Sequence, residues 1–123
     1  MTISPIRSTR SKRSTGMYEF PVEWFLDDWE LFELRRETPG QVFETWKSEF
    51  DAVHESKVGY FMLTMHPECI GRASRLAMLN QLVNHIRQKQ GVAFAKCNQL
   101  VEHLDRAQTE PGSTFRSRNS KRR

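Results

Sequence analysis

The chain has 123 residues, 37% of them hydrophobic, and a formal net charge of +4 at pH 7, which suits one domain with a modest core. It contains neither an apolar run of the roughly 18 residues that a membrane-spanning helix requires nor an apolar segment after its basic start, so neither a membrane span nor a secretory signal is expected. The two cysteines, Cys69 and Cys97, predict neither a disulfide framework nor a metal knuckle, which favours a reducing, cytoplasmic setting.

The charge is distributed unevenly along the chain. Residues 1–16 and 111–123 hold nine Lys/Arg and no acid, whereas residues 17–110 hold ten Lys/Arg and all fifteen Asp/Glu. Both ends are poor in periodic hydrophobic residues, so we expect disordered basic tails at 1–16 and 108–123 around a domain at 17–107. The alternative, a nucleic-acid patch, is disfavoured because the tails lack the repeated aromatic side chains of a stacking platform.

The first predicted element is a strand, followed by a loop. "MYEFPVEW", Met17–Trp24, is rich in residues that favour strands, although Pro21 restricts it to an edge, a bulge or a strand end. "FLDDWELFEL", residues 25–34, places two aspartates between aromatic residues and is interpreted as a loop or irregular turn.

A clear helix follows this loop. Thr38-Pro39-Gly40-Gln41 fits a capping box, with Thr38 as the N-cap and proline in the first turn. Apolar residues then recur at helical spacing, at Val42, Phe43, Trp46, Phe50 and Val53. The helix is expected to end near Ser56.

The rest of the domain alternates between predicted strands and helices. "YFMLTM", residues 60–65, predicts a buried strand. A helix is expected over 74–90, with Gly91 as its C-terminal cap, followed by a short strand at 92–95 and a last helix capped by Asn98. This order favours an α/β fold with βα units and a parallel sheet. The βα units are too few to close a barrel.

Two places are candidates for chemistry, because functional residues gather where parallel strands end. Asp27-Asp28-Trp29 follows the first predicted strand, and His66-Pro67 ends the second. An Asp beside an imidazole orients it and favours its protonated form, which would make His66 a general acid that protonates a leaving amine. The alternatives are a structural histidine at a strand end and an aspartate pair that caps a helix or is plain solvated charge.

A family resemblance bears on these alternatives. "FPVEWFLDDWELFE", "VFETWKSEFDAVHE", "YFMLTMHPECIGRASRLAMLNQLVNHI" and "GVAFAKCNQLVEHL" together resemble the C-terminal part of the polysaccharide deacetylase (NodB-homology) family. The branch most similar is the intracellular one with allantoinase-like and peptidoglycan-deacetylase-like members, over about residues 16–107. The resemblance implies a distorted (β/α) barrel, of which this chain would be the incomplete C-terminal part. It also implies hydrolysis of non-peptide C–N bonds, N-acetyl or cyclic amide, with a divalent metal, often zinc.

The resemblance assigns roles to individual residues. Asp28 would orient and tune the catalytic histidine, Trp29 would line the substrate groove, and His66 would be the general acid. Thr64 stands where the family usually has leucine, which is a minor departure. Arg72 and Arg75 match a "GRxxR" segment that could contact substrate, or could instead form salt bridges between the helix start and the acidic loop.

The family's first three motifs, which supply the base and the metal ligands, have no counterpart in this sequence. His54, His85 and His103 are spread over three predicted helices and do not pair at metal-ligand spacing. We therefore expect no metal site and no cofactor in this chain, and no activity unless another part completes the site for an N-acetyl or amide substrate. The alternative is a non-enzymatic interaction module that docks on a partner or self-associates through exposed inner faces. Neither nucleic acid nor membrane is an expected partner.

Overall fold

Helices form all the regular secondary structure in the computed structural model, which describes residues 18–57 and 59–109, with side chains to 106. A 3-10 helix, Trp24–Leu26, and a π-helix, Trp29–Leu34, are followed by four α-helices: α1 Pro39–Ser56, α2 Pro67–Ile70, α3 Ala73–Arg87 and α4 Cys97–Thr109. The predicted tails lie outside the described residues, except for 108 and 109, where α4 ends. The chain divides into two units, up to Val92 and from Ala93 onward.

The predicted α/β fold, with its parallel sheet and partial barrel, is wrong for this structure. The described residues contain no strand, and a single parallel bridge, Asp27 to Thr64, is the trace of the predicted pairing. Residues 60–65 and 92–95 are irregular, and the first predicted strand is irregular at 18–23 before Trp24 enters the 3-10 helix. A run of β-prone residues becomes a strand only when a neighbour completes a hydrogen-bond ladder, and these segments lack one within the described chain.

The helix predictions fare better because their signals are local. Thr38 and Gln41 form the predicted capping box, and α1 ends at Ser56 as expected. The aspartate-containing loop is instead largely helical, since the π-helix begins at Trp29. The third helix starts one residue early and ends at Arg87, before Gly91, which does have a positive φ of 76°.

The core of the first unit lies between α1 and α3. Each helix contributes a stripe at four-residue spacing: Val42, Trp46 and Phe50 from α1, and Met78, Leu82 and Ile86 from α3. Two residues of the π-helix, Leu31 and Phe32, complete the packing. At the edge of this interface the Asp51 carboxylate accepts hydrogen bonds from Lys47 Nζ at 2.9 Å and His85 Nε2 at 2.6 Å. The bond to His85 joins α1 to α3. Burial raises the pKa of Asp51, but the hydrogen bonds and positive charges of His85 and Lys47 together outweigh it and lower this pKa.

The second unit contains α4, whose first turn is closed by a side chain. The backbone N–H of Lys96 donates to Gln99 Oε1 at 2.8 Å, and the helix begins at Cys97, one residue before the predicted cap. Three apolar residues of α4, Leu100, Val101 and Leu104, are partly buried. None of the described helices combines the length and the apolarity that spanning a membrane requires.

Thr38→Ala is expected to reduce the free energy of unfolding by about 1 kcal/mol. Thr38 Oγ1 accepts the Gln41 N–H at 3.3 Å while Gln41 Oε1 accepts the Thr38 N–H at 2.9 Å, so the substitution leaves a first-turn N–H without its side-chain partner. Urea denaturation followed by circular dichroism measures the change. Thr38→Ser, which keeps the hydroxyl, is the control, and equal losses in both variants would contradict the capping explanation.

Candidate active site

The two candidate segments are held together by backbone hydrogen bonds. The Asp28 N–H donates to Thr64 O at 3.1 Å, and the Thr64 N–H donates to Leu26 O at 2.9 Å. This short parallel contact places Asp28 next to the residues that lead into His66. Asp28 and His66, which are 38 residues apart in sequence, therefore meet as expected, although the described residues do not form the sheet that was expected to bring them together.

Asp28 and His66 form a two-point contact. Asp28 Oδ1 lies 2.7 Å from His66 Nδ1, and Asp28 Oδ2 accepts the His66 backbone N–H at 2.9 Å. Asp28 is fully buried, whereas 40% of the His66 side chain is exposed. Because the carboxylate can only accept, the hydrogen sits on Nδ1, and Nε2 is the ring atom available to other molecules. Within the described residues Nε2 has no hydrogen-bond partner.

The surroundings of His66 favour its protonated form. The hydrogen bond to Asp28 is the main cause that raises the pKa of His66, and partial burial opposes it. The negative charges of Asp28, Asp27 and Glu68 act in the same direction as the hydrogen bond. The imidazole therefore keeps a larger protonated fraction near neutral pH than an isolated histidine does.

Asp27 has a local structural role. Its Oδ1 accepts the Trp29 N–H at 2.9 Å and lies 3.5 Å from the Glu30 N–H, so it caps the start of the π-helix. This is the alternative function considered for the aspartate pair, and it applies to the first member. Asp27 Oδ1 is also 3.9 Å from His66 Nδ1, a supporting charge at longer range. Short π-helical turns often occur at functional sites.

Trp29 stands beside the imidazole on the solvent side. Its ring centroid lies 6.1 Å from that of His66 with an interplanar angle of 63°, and 44% of the residue is exposed. An exposed indole beside the imidazole offers a flat apolar surface to a bound molecule.

A metal ion at this site would compete with hydrogen bonds that the residues already make. Asp27, Asp28 and His66 do bring three potential ligand atoms within 4.8 Å of one another. However, the Asp28 carboxylate is buried with both oxygens bonded to His66, and Asp27 Oδ1 is occupied by the Trp29 amide. A cation bound through His66 Nδ1 would have to displace the proton on that atom and its hydrogen bond to Asp28.

The other histidines have separate partners. His54 Nε2 is 2.9 Å from Gln90 O, and His85 bonds to Asp51. His103 lies on α4 in the second unit and is exposed. Of the described residues, only Asp27, Asp28 and His66 bring three such ligand atoms together.

The two arginines differ in their surroundings. Arg75 Nη1 bonds to Glu33 Oε1 at 2.8 Å, which is the salt bridge considered as the alternative to substrate contact. Arg72 directly precedes α3, is exposed and makes no ion pair within the described residues. Glu33 and Cys69 also lie near the site, although the sequence pattern did not single them out. The only signal in the sequence for these two residues was that they follow Asp28 and His66 closely. Cys69 has the character of a core residue, since burial raises the pKa of its thiol to about 11.

Comparison with known proteins supports a deacetylase-like relationship without distinguishing a particular branch. The sequence is 26% identical to a peptidoglycan deacetylase of Helicobacter pylori (strain ATCC 700392 / 26695) over an alignment 97 residues long, which covers 72% of this chain. The matched part covers 33% of that protein, so the chain spans about a third of its relative's length. No protein-family model matches the chain.

Proposed function

We propose that this chain carries the general acid of a deacetylase-like hydrolase that cleaves a non-peptide C–N bond, with His66 as the acid and Asp28 as the residue that orients it. The observation that carries the proposal is the contact between these two residues. The buried Asp28 carboxylate accepts hydrogen bonds from Nδ1 and the backbone N–H of His66, and it leaves Nε2 of this half-exposed side chain available to other molecules. The relative's name, a deacetylase, supplies the reaction class.

The proposed step follows from the chemistry of amides. Water adds to the carbonyl carbon, and the C–N bond then breaks only if the nitrogen receives a proton, because an amide anion is a very poor leaving group. His66 Nε2–H gives that proton: the N–H bond of the imidazolium breaks, a new N–H bond forms on the departing amine, and the ring becomes neutral. Asp28 stabilises the imidazolium beforehand and keeps the second hydrogen on Nδ1.

The substrate class we propose is an N-acetylated saccharide, with a cyclic amide as the second possibility. The exposed indole of Trp29 beside His66 would pack against the flat apolar face of a sugar ring. Arg72, exposed at the start of α3, would be the arginine free to meet polar groups of the substrate, since the guanidinium of Arg75 is engaged by Glu33.

We further propose that the chain by itself lacks the group that activates water. Metal binding at the Asp27–Asp28–His66 cluster would compete with the hydrogen bonds that orient His66, so the metal and base that the resemblance implies would have to come from other residues. The purified 123-residue chain, incubated with N-acetylated glycan and zinc, is therefore expected to release no acetate above background. Zinc-dependent acetate release would overturn this part of the proposal.

A chimera tests the acid role directly. The matched 97-residue segment of the Helicobacter pylori relative would be replaced by the corresponding part of this chain, and acetate release would be assayed. We expect activity that His66→Gln lowers by about 10²- to 10⁴-fold, the usual contribution of a general acid. His103→Gln, an exposed histidine on α4, is the matched control. A folded, active chimera that tolerates His66→Gln as well as His103→Gln would refute the role.

A second candidate function, a module that self-associates or docks on a partner, is favoured by one observation. Within the described residues, Tyr60–Leu63 form no backbone–backbone hydrogen bonds, and several large apolar side chains are exposed: Val22, Trp24, Leu34, Met65 and Leu76. Sedimentation velocity over a hundredfold dilution separates the two functions. Concentration-dependent association would support the module, and a monomer at all concentrations would count against self-association.

A further inference from the structure

The structure assigns Arg75 the role of a positioning residue: we infer that its guanidinium keeps the segment after Asp28 and the segment after His66 in register, so that the Asp28–His66 contact is maintained. This inference rests on the proposed function only for its catalytic meaning, because the contact itself is a property of the chain.

Arg75 is partly buried and contacts several residues of the first unit. Its side chain is 19% exposed, and Nη1 donates to Glu33 Oε1 and to the backbone carbonyl of Cys69, both at 2.8 Å. These two bonds use both hydrogens on Nη1. The Cys69 Sγ lies 3.4 Å from the same nitrogen, and the guanidinium carbon lies 4.3 Å from the centroid of the Phe32 ring.

The partners of Arg75 lie on the two short helices that start at the catalytic pair. Glu33 and Phe32 belong to the π-helix, which begins directly after Asp28. Cys69 belongs to α2, which begins directly after His66 and whose first turn bonds back to it, since the Cys69 N–H donates to His66 O at 2.9 Å. The two helices are thus joined at their starts by Asp28–His66 and further along by Glu33–Arg75–Cys69.

The second link, through Arg75, matters because the Asp28–His66 hydrogen bonds depend on the position of the π-helix relative to α2. At 2.7 and 2.9 Å, both weaken steeply if one helix rotates relative to the other. The thiol of Cys69 also packs near the buried Asp28, whose charge contributes to raising the pKa of that thiol after the larger effect of burial. Arg75 therefore also fixes the position of Cys69, a neighbour of Asp28.

The Arg75→Met variant of the full chain distinguishes positioning from simple charge. Removing a cation and leaving Glu33 unpaired would, through charge alone, raise the pKa of His66. Loss of positioning acts in the opposite direction, because it weakens the bond to Asp28 that raises this pKa. We expect a fall of about 0.5 unit, roughly a threefold change in the protonation equilibrium, in an NMR titration of the His66 ring. We also expect faster hydrogen exchange at the His66 amide, which donates to Asp28 Oδ2.

The matched control is Arg72→Met, which removes an exposed arginine three positions earlier and should not lower the pKa of His66. Circular dichroism establishes that each variant is folded. If Arg75→Met does not fold, Arg75→Lys is judged by the same criterion, because it keeps the charge but not the flat contact with Phe32. An unchanged or raised pKa, or an equal fall in the control, would overturn the inference. Since the titration needs no activity, it can fail independently of the chimera assay.

Discussion

Replacing Asp28 by Asn is expected to lower the pKa of His66 and to reduce acetate release by the chimera about 10²- to 10⁴-fold. The buried carboxylate accepts two hydrogen bonds from His66, one on each oxygen. An asparagine side chain offers one oxygen and one amide, so it can accept only one of them and presents a donor to the other. The unmatched donor in a fully buried position should also destabilise the fold by about 1–3 kcal/mol.

The pH dependence of stability gives this prediction a second measurement. A histidine whose folded-state pKa is raised contributes stability that is fully present below its unfolded pKa of about 6.5 and is lost as pH rises through the folded pKa. The wild-type chain should therefore show a loss of this contribution above pH 6.5, and Asp28→Asn should not. Urea denaturation at a series of pH values checks the difference.

Asp27→Asn is the control for Asp28→Asn because it changes the neighbouring residue in the same way. Asparagine keeps an oxygen that can accept the Trp29 N–H, so the cap of the π-helix survives. We expect a much smaller effect on His66, whose Nδ1 lies 3.9 Å from this carboxylate. Equal effects of the two variants would contradict the assignment of Asp28 as the residue that orients His66.

Trp46→Ala is expected to destabilise the first unit by about 3–5 kcal/mol. Trp46 is fully buried, its ring meets Phe32 at 6.4 Å in an edge-on arrangement, and its Nε1–H donates to Phe25 O at 3.1 Å. Truncation leaves a large cavity and an unpaired carbonyl between α1 and the 3-10 helix. Since domains are stable by only about 5–15 kcal/mol, this is a large fraction of the total.

Chemical denaturation followed by far-ultraviolet circular dichroism measures the effect of Trp46→Ala without relying on tryptophan fluorescence. Trp29→Ala, which removes a tryptophan that is 44% exposed, is the control for the loss of an indole at the surface. We expect a clearly smaller loss in the control. If Trp46→Ala destabilised the chain no more than Trp29→Ala, the packing described between α1 and the π-helix would be wrong.

Some features could be read from the sequence because short-range interactions decide them. The capping box at Thr38 and the end of α1 at Ser56 depend on residues within one turn, and both predictions are confirmed. The apolar stripe of α1 was likewise visible as a four-residue period, although Phe43 and Val53 are only partly buried. The predicted strand at 60–65 is wrong because its fate depends on distant partners, which the local pattern of apolar residues does not contain.

The sequence by itself determined where α1 begins and ends and which residues were candidates for chemistry, because capping, periodicity and residue type are local properties. Only the tertiary structure decided that Asp28, rather than Asp27, receives both hydrogen bonds from His66 and that Asp27 caps the π-helix. It also decided that Arg75 faces Glu33 and Cys69 while Arg72 faces solvent. These choices follow from burial and from contacts between residues about 40 positions apart in sequence. Asp27 and Asp28 are identical and adjacent, so a shift of one residue in these contacts would exchange their roles.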